Sequence, residues 1–220
     1  IRDCAVLTPA LLALIPRLSQ LAAIAAPPKD ALTITATETL TGFDVALTGA
    51  PKTLSADARA QLVQTAGALG LTRLSLNGNL EMERVPPQLR VGNVDIRPGP
   101  GGFLQATRES EAAMLSLVQQ AVGDARRIVD LFSGAGTFSL PLATTATIHA
   151  VESDELALAS LQQMARKTSG LKPVTTEKRD LFRRPLVRTE LKRFDAAVID
   201  PPRAGAEAQT RELAASDIKR

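Results

Sequence analysis

Two short runs hold most of the residues able to do chemistry. The first is Asp130-Leu131-Phe132-Ser133-Gly134-Ala135-Gly136-Thr137-Phe138, an apolar strand leading into a glycine loop with a helical pattern directly behind it. Glycines allow backbone to approach a ligand closely, and a helix start offers free N–H groups and a positive dipole end to an anion, either a phosphate or a carboxylate. A dinucleotide fingerprint needs a third glycine, where Ser139 stands, and a P-loop needs Gly-Lys-Ser/Thr; neither is present. The carboxylate of a methionine moiety fits what is left. A plain strand-to-helix turn is the simpler alternative for the same residues.

The second run is Asp200-Pro201-Pro202-Arg203-Ala204-Gly205. Two prolines after a buried strand fix the backbone and remove two N–H donors, which makes a rigid corner for the Asp200 carboxylate. Glu152 and Asp180 complete a set of three acids at or just past the ends of successive strand patterns. A carboxylate in the position of Glu152, sixteen residues after Gly136, can accept hydrogen bonds from two ribose hydroxyls. Each acid also suits a helix N-cap, Asp180 most of all. His149 is the one histidine and lies inside a strand pattern, so a structural role is expected. No Ser–His–Asp arrangement or zinc-ligand set can be assembled.

These residues need a sheet edge to bring them together. Strand patterns fall near 127–132, 147–151, 173–177 and 195–199, with helical patterns at 138–144, 154–167 and 186–192. Alternation at that spacing predicts βαβ units and a parallel sheet whose carboxyl edge gathers the acids. A helix is predicted from Thr107 to Val122, buried through Met114, Leu117, Val118 and Val122. Upstream, Thr8-Pro9 starts a helix that Pro16 should kink or end. Strands are expected over 31–37 and 43–48, turning at Thr41-Gly42. A helix capped by Ser55 should end at Gly70, followed by a hairpin around Asn77-Gly78 and one further strand over 90–97. This mixture predicts a small α+β domain over 1–97 and an α/β domain over 98–220. Pro98-Gly99-Pro100-Gly101-Gly102 marks the boundary, as a flexible linker or as a tight loop against a ligand.

Bulk properties narrow the class. Hydrophobic residues make up 45% of the chain, enough to build cores, and no run of about 18 apolar residues is present, so no membrane span is expected. No basic segment precedes Leu11–Ala26, so it does not read as a signal peptide, and a cytoplasmic monomer is expected. A single cysteine, Cys4, rules out an internal disulfide. Residues 178–193 carry seven basic side chains against Asp180 and Glu190, as either a solvated face or a phosphate-contacting patch. With six Phe and neither Trp nor Tyr, a pure single-strand-binding module is disfavoured.

Taken with Phe103-Leu104-Gln105 and Ala150-Val151-Glu152, the two runs resemble the RNA uracil-5 methyltransferase family, specifically over about 95–210 and more loosely before that. The resemblance implies a Rossmann-like, S-adenosylmethionine-dependent methyltransferase domain behind a central domain that helps hold RNA, with rRNA or tRNA as partner. It implies that Gln105, Phe132, Ser133, Gly134, Gly136, Thr137, Glu152, Asp180 and Asp200 line the cofactor pocket. Thr137 and Asp180 stand where family members often carry Asn or another polar residue, and Thr107 stands where the family usually has Asn after Phe-x-Gln-x. In that family a cysteine attacks C6 of uracil, the methyl group goes to C5, and a downstream glutamate region helps remove the C5 proton. Both groups are expected beyond Arg220, so the fragment by itself is expected to bind cofactor without turnover. Ile1-Arg2-Asp3-Cys4-Ala5-Val6-Leu7 is similar to the fourth ligand position of a 4Fe-4S cluster in some members, with a small buried cysteine as the alternative.

Three other readings compete. An amino-group methyltransferase of nucleic-acid bases would follow its Pro-Pro with an aromatic residue, where Arg203 stands. A non-catalytic RNA-binding adaptor would leave the cofactor pocket empty. A dehydrogenase would need the missing third glycine.

Overall fold

The computed structural model describes residues 4–102 and 104–220. Phe103 and Ile1, Arg2 and Asp3, which belong to two of the quoted runs, lie outside the described residues. Contacts divide the chain into two units: residues up to Leu89 together with Pro98–Ala106, and Arg90–Arg97 together with Thr107–Arg220. This crosses the expected single cut at 97/98.

The first unit is a four-stranded mixed sheet with two helices. Its elements are α1 (Pro9–Ala25), β1 (Thr33–Thr39), β2 (Gly42–Thr48), α2 (Ala56–Ala68), β3 (Leu71–Leu76) and β4 (Asn79–Glu83), with strand order β1-β2-β3-β4. The β2–β3 pair is parallel and is joined through α2; the outer pairs are antiparallel. Local signals set the element starts. Thr8 Oγ1 accepts from Leu11 N at 3.2 Å and Ser55 Oγ from Ala58 N at 3.2 Å. Asn77 and Gly78 both take positive φ, as a two-residue hairpin turn with matching twist requires.

Pro16 does not end α1, which runs through it unbroken. An interior proline costs about 3 kcal/mol. The helix also buries Leu14, Leu18, Leu21 and Ala25 against Val45, Leu47, Leu62, Leu71 and Leu74. At about 1.5–3 kcal/mol for each fully buried leucine, packing outweighs the break.

All six residues of β3 are buried, so both its faces are covered. Arg73 and Asp44 form a bidentate pair (2.8 and 2.6 Å), both nearly inaccessible, and Arg73 also donates to the Pro98 carbonyl at 2.9 Å. A Cβ on Gly101 would lie 3.1 Å from the Ala46 Cβ. The Pro-Gly stretch is therefore a loop packed on the first unit, against Ala46 and Arg73, rather than a flexible linker. That packing also explains why 98–106 leaves the α/β domain to which it was assigned.

The second unit opens with a hairpin, β5 (Leu89–Val91) and β6 (Val94–Ile96), in place of the single strand expected over 90–97; Gly92 (φ +56) supplies the turn. Ser160 Oγ donates to the Arg97 carbonyl at 2.5 Å, which ties this stretch to the second unit. Then follow α3 (Arg108–Val122), β7 (Arg127–Leu131), α4 (Ser139–Leu142), β8 (Thr147–Glu152), α5 (Glu155–Lys167), β9 (Val174–Lys178), α6 (Arg188–Leu191), β10 (Ala196–Ile199) and α7 (Glu207–Ala214). The strands are all parallel in the order β10-β7-β8-β9, so the order reverses between β7 and β10. One face packs Val129, Leu131 and Val151 on Leu181, Leu186 and Leu191. The other carries α4, where Ser139 meets Asp130. The buried stripe of α3 differs from expectation: Leu115 is buried while Leu117 is 65% exposed. The short α7 was not anticipated; its Gln209 is fully buried and bonds both backbone groups of Leu186. No helix among the described residues is long and apolar enough to cross a membrane.

Candidate functional site

The carboxyl edge of the parallel sheet collects most of the residues singled out above. Beyond β7 the chain turns out of the sheet at Phe132, a non-glycine residue with φ +64. Such a conformation costs on the order of 1–3 kcal/mol and needs surroundings that enforce it. Here Phe132 N and Ser133 N both donate to the Val151 carbonyl (2.9 and 3.2 Å), and the Phe132 ring packs against Phe182 with centroids 5.5 Å apart.

The two glycines of the loop do different things. At Gly134 (φ +53) nothing lies within 4 Å of where a Cβ would be, so this is the point of open backbone approach. At Gly136 (φ +96) a Cβ would lie 3.0 Å from Leu161 Cγ and 3.3 Å from Leu140 Cγ, so this glycine serves close packing. The helix expected over 138–144 is only Ser139–Leu142, with no side-chain cap. One turn sums few peptide dipoles, so the helix end supplies little positive potential here.

The acids occupy three environments. Glu152, at the end of β8, is half-buried. Its Oε1 accepts from Ser153 N (2.6 Å), Ser153 Oγ (3.0 Å) and Asp154 N (3.0 Å), while Oε2 accepts Gly134 N at 3.1 Å. The carboxylate is thereby held beside the open glycine with acceptor capacity left on Oε2. Asp200 is exposed at the end of β10; its N–H faces the Leu131 carbonyl at 3.4 Å, and Gly205 N closes the Pro202 turn at 2.8 Å. Asp180 Oδ1 accepts from Phe182 N (3.0 Å) and Arg183 N (3.3 Å), so it caps a turn rather than the helix anticipated for it.

Sequence reading left out Asp130. This carboxyl is 1% exposed; its Oδ2 accepts from Ser139 Oγ at 2.6 Å, and its Oδ1 is buried without a partner, as is Ser133 Oγ. Burial pushes its pKa up to about 7, and the carboxylates of Asp200 and Glu152 push the same way against the Ser139 hydrogen bond. A signal was present: an acid inside the apolar run Ile128-Val129-Asp130-Leu131 must be either paired or neutralised once buried.

Thr137 sits half-buried in the loop beyond Gly136. Gln105 falls on the 98–106 stretch of the first unit and so is not among the side chains gathered within the second. His149 is structural, its nitrogens facing Thr175 Oγ1 (2.9 Å) and Glu177 (3.2 Å) and its ring stacked on Phe194. The basic run is in part internal: Arg179 bonds Glu190, Glu177 and the carbonyls of Arg184 and Pro185, which holds Glu190 down at about 2. Cys4 is a half-buried free thiol, and among the described residues no group of three or more His, Cys, Asp or Glu could hold a metal ion. Cys4 is a single thiol, and a 4Fe-4S cluster of the kind named above would take its other ligands from outside these 220 residues.

The arrangement fits a nucleoside-type cofactor: open backbone at Gly134, an acceptor carboxylate beside it, and a further acid across the point where strand order reverses. No family model matches the chain. A protein of Rhizobium meliloti named as an uncharacterized RNA methyltransferase is 46% identical over 220 residues, covering 100% of this chain and 53% of that protein. The 23S rRNA (uracil(1939)-C(5))-methyltransferase RlmD of Chromohalobacter salexigens is 35% identical over 122 residues, 54% of this chain and 25% of that protein. Among solved structures, the Pyrococcus abyssi tRNA (uracil-54, C5)-methyltransferase in complex with S-adenosyl-L-homocysteine matches with a TM-score of 0.72 at 19% identity, over 99% of this chain and 58% of that one. The chain spans about half the length of the curated relatives it matches. Its homologues are named RNA methyltransferases, and its parallel α/β unit has the Rossmann-like fold of S-adenosylmethionine-dependent methyltransferases.

Proposed function

We propose that this chain is the cofactor-binding part of an S-adenosylmethionine-dependent RNA methyltransferase acting on C5 of a uridine in rRNA or tRNA. The observation that carries the reading is the convergence of Gly134, Glu152 and Asp200 at the carboxyl edge of the sheet, around the β7–β10 switch point. When bound, the cofactor supplies an electrophilic methyl group on a sulfonium. The free acceptor capacity of Glu152 Oε2 takes a ribose hydroxyl. The open backbone at Gly134 admits the amino-acid end, with Ser133, Gly136 and Thr137 shaping the loop. Phe132 gives the pocket an apolar wall, while Asp200, just past β10, and Asp180, just past β9, bound it at the two outer strands of the sheet. The uracil-5 choice is supported by the names of RlmD and of the Pyrococcus abyssi enzyme. In this reading the attacking cysteine comes from a part of the protein outside these 220 residues.

Calorimetric titration of the full-length protein with S-adenosylhomocysteine tests the reading. Micromolar-range binding that Glu152→Ala weakens by roughly tenfold or more is expected, the size of a lost charge-assisted hydrogen bond. Folded protein that takes up no S-adenosylhomocysteine overturns it.

A further inference from the structure

The turn after β9 sets one aromatic ring among several guanidinium groups next to the glycine loop. Between Glu177 and Arg188 the chain carries five basic residues against two acids. One of the five, Arg179, is spent internally: its side chain is 10% exposed and its hydrogen bonds to the Arg184 and Pro185 carbonyls and to Glu190 hold the turn in shape. Asp180 caps the same turn through Phe182 N and Arg183 N. The scaffold is therefore fixed from within, and what it presents outward is Phe182, Arg183, Arg184 and Arg188.

Phe182 is 48% exposed and, among the described residues, is the one aromatic ring left in solvent. Folding normally hides such a ring. This one leans instead on Phe132 of the glycine loop, at the edge of the candidate site. The side chains of Arg183 and Arg184 are 88% and 70% exposed, and their acidic neighbours are distant, Asp180 at 3.5 Å and Glu177 at 4.0 Å. Long pairs in solvent contribute little, so a phosphate can displace them. A flat apolar ring flanked by exposed cations matches a nucleotide strand, whose bases stack on aromatics and whose phosphates pair with arginine. An apolar protein surface would strand the same guanidinium charges away from water.

We propose that the Asp180–Arg188 turn is an RNA-binding surface, on which Phe182 stacks against a base of a single-stranded segment while Arg183, Arg184 and Arg188 hold its phosphates. The proposal rests on the reading of the protein as an RNA methyltransferase and adds to it the place where the strand meets the sheet edge. Because Phe132 joins the ring to the glycine loop, a strand held on Phe182 lies at the same edge as Gly134 and Glu152.

The test uses the full-length protein, a short fluorescein-labelled oligouridine followed by anisotropy, and a parallel titration with S-adenosylhomocysteine. Phe182→Leu, which keeps apolar bulk but cannot stack, should weaken RNA binding roughly tenfold. Arg183→Ala with Arg184→Ala should weaken it further and flatten its dependence on salt. Affinity for S-adenosylhomocysteine and the melting temperature should both stay as in the unaltered protein. Unchanged RNA affinity in a stable Phe182→Leu protein overturns the proposal. A selective loss of S-adenosylhomocysteine affinity also overturns it, since the ring then serves the cofactor. A fall in melting temperature without an RNA effect overturns it too, since another part of the protein then covers the ring. If the unaltered protein takes up no S-adenosylhomocysteine yet loses RNA on Phe182→Leu, the surface stands and the methyltransferase reading fails.

Discussion

Replacing Asp130 with Asn removes one titrating charge from the floor of the glycine loop and leaves its size and its hydrogen bond from Ser139 nearly unchanged. The pKa of this group rises from 3.8 to about 7 on folding, mainly through burial. Between those values the folded protein holds a proton that the unfolded chain has released. Linkage then gives the sign: this group's contribution to stability is fully present below about pH 4 and is lost as pH rises to about 7. At about 1.4 kcal/mol per unit the whole span is about 4 kcal/mol, of which about 2.5 kcal/mol falls between pH 5 and pH 8. Urea unfolding of both proteins at those two pH values isolates the effect, because His149, Glu190 and every other titrating group is common to both. The unaltered protein should lose about 2.5 kcal/mol more than Asp130→Asn between pH 5 and pH 8. Equal losses, within about 0.5 kcal/mol, would refute the argument, for Asp130 would then be ionised in the fold at an ordinary pKa and its orphan Oδ1 would have a partner.

Two further outcomes follow from the same structure. Asp44→Asn leaves the Arg73 guanidinium buried without its counter-charge and should cost about 3–5 kcal/mol in denaturant unfolding, while Asp44→Leu with Arg73→Met should recover most of that. Gly134→Ala and Gly136→Ala both strain a positive φ, by about 1 kcal/mol, but only Gly136→Ala also strikes Leu161 and Leu140. Gly134→Ala should therefore stay folded and lose affinity for S-adenosylhomocysteine, whereas Gly136→Ala should show mainly a lowered melting temperature.

Much of this molecule is written locally. Thr8, Ser55 and Thr107 cap helices because a hydroxyl three residues before a free N–H needs no distant partner. Asn77-Gly78 makes its turn for a similarly short-range reason, and the strand–helix alternation after Arg127 forces parallel pairing that delivers Glu152 and Asp200 to one edge. What the sequence could not decide depends on which atoms meet across long separations. Pro16 stays helical because the packing behind it outweighs one lost hydrogen bond. The stretch 98–106 belongs to the first unit because Arg73, twenty-five residues earlier, binds the Pro98 carbonyl. Gly134 and Gly136 look alike in sequence and differ only because Leu161 stands behind one of them. Asp130 and Asp200 are the same residue type at neighbouring strand ends; burial raises the pKa of the first while the second stays in solvent. The sequence by itself determined the elements and the edge at which the acids gather, because those follow from short-range bonding and periodicity. Which glycine opens to a ligand, which acid keeps its proton and which ring stays exposed were decided by the tertiary structure, because each depends on desolvation and contact that exist only once the chain has closed on itself.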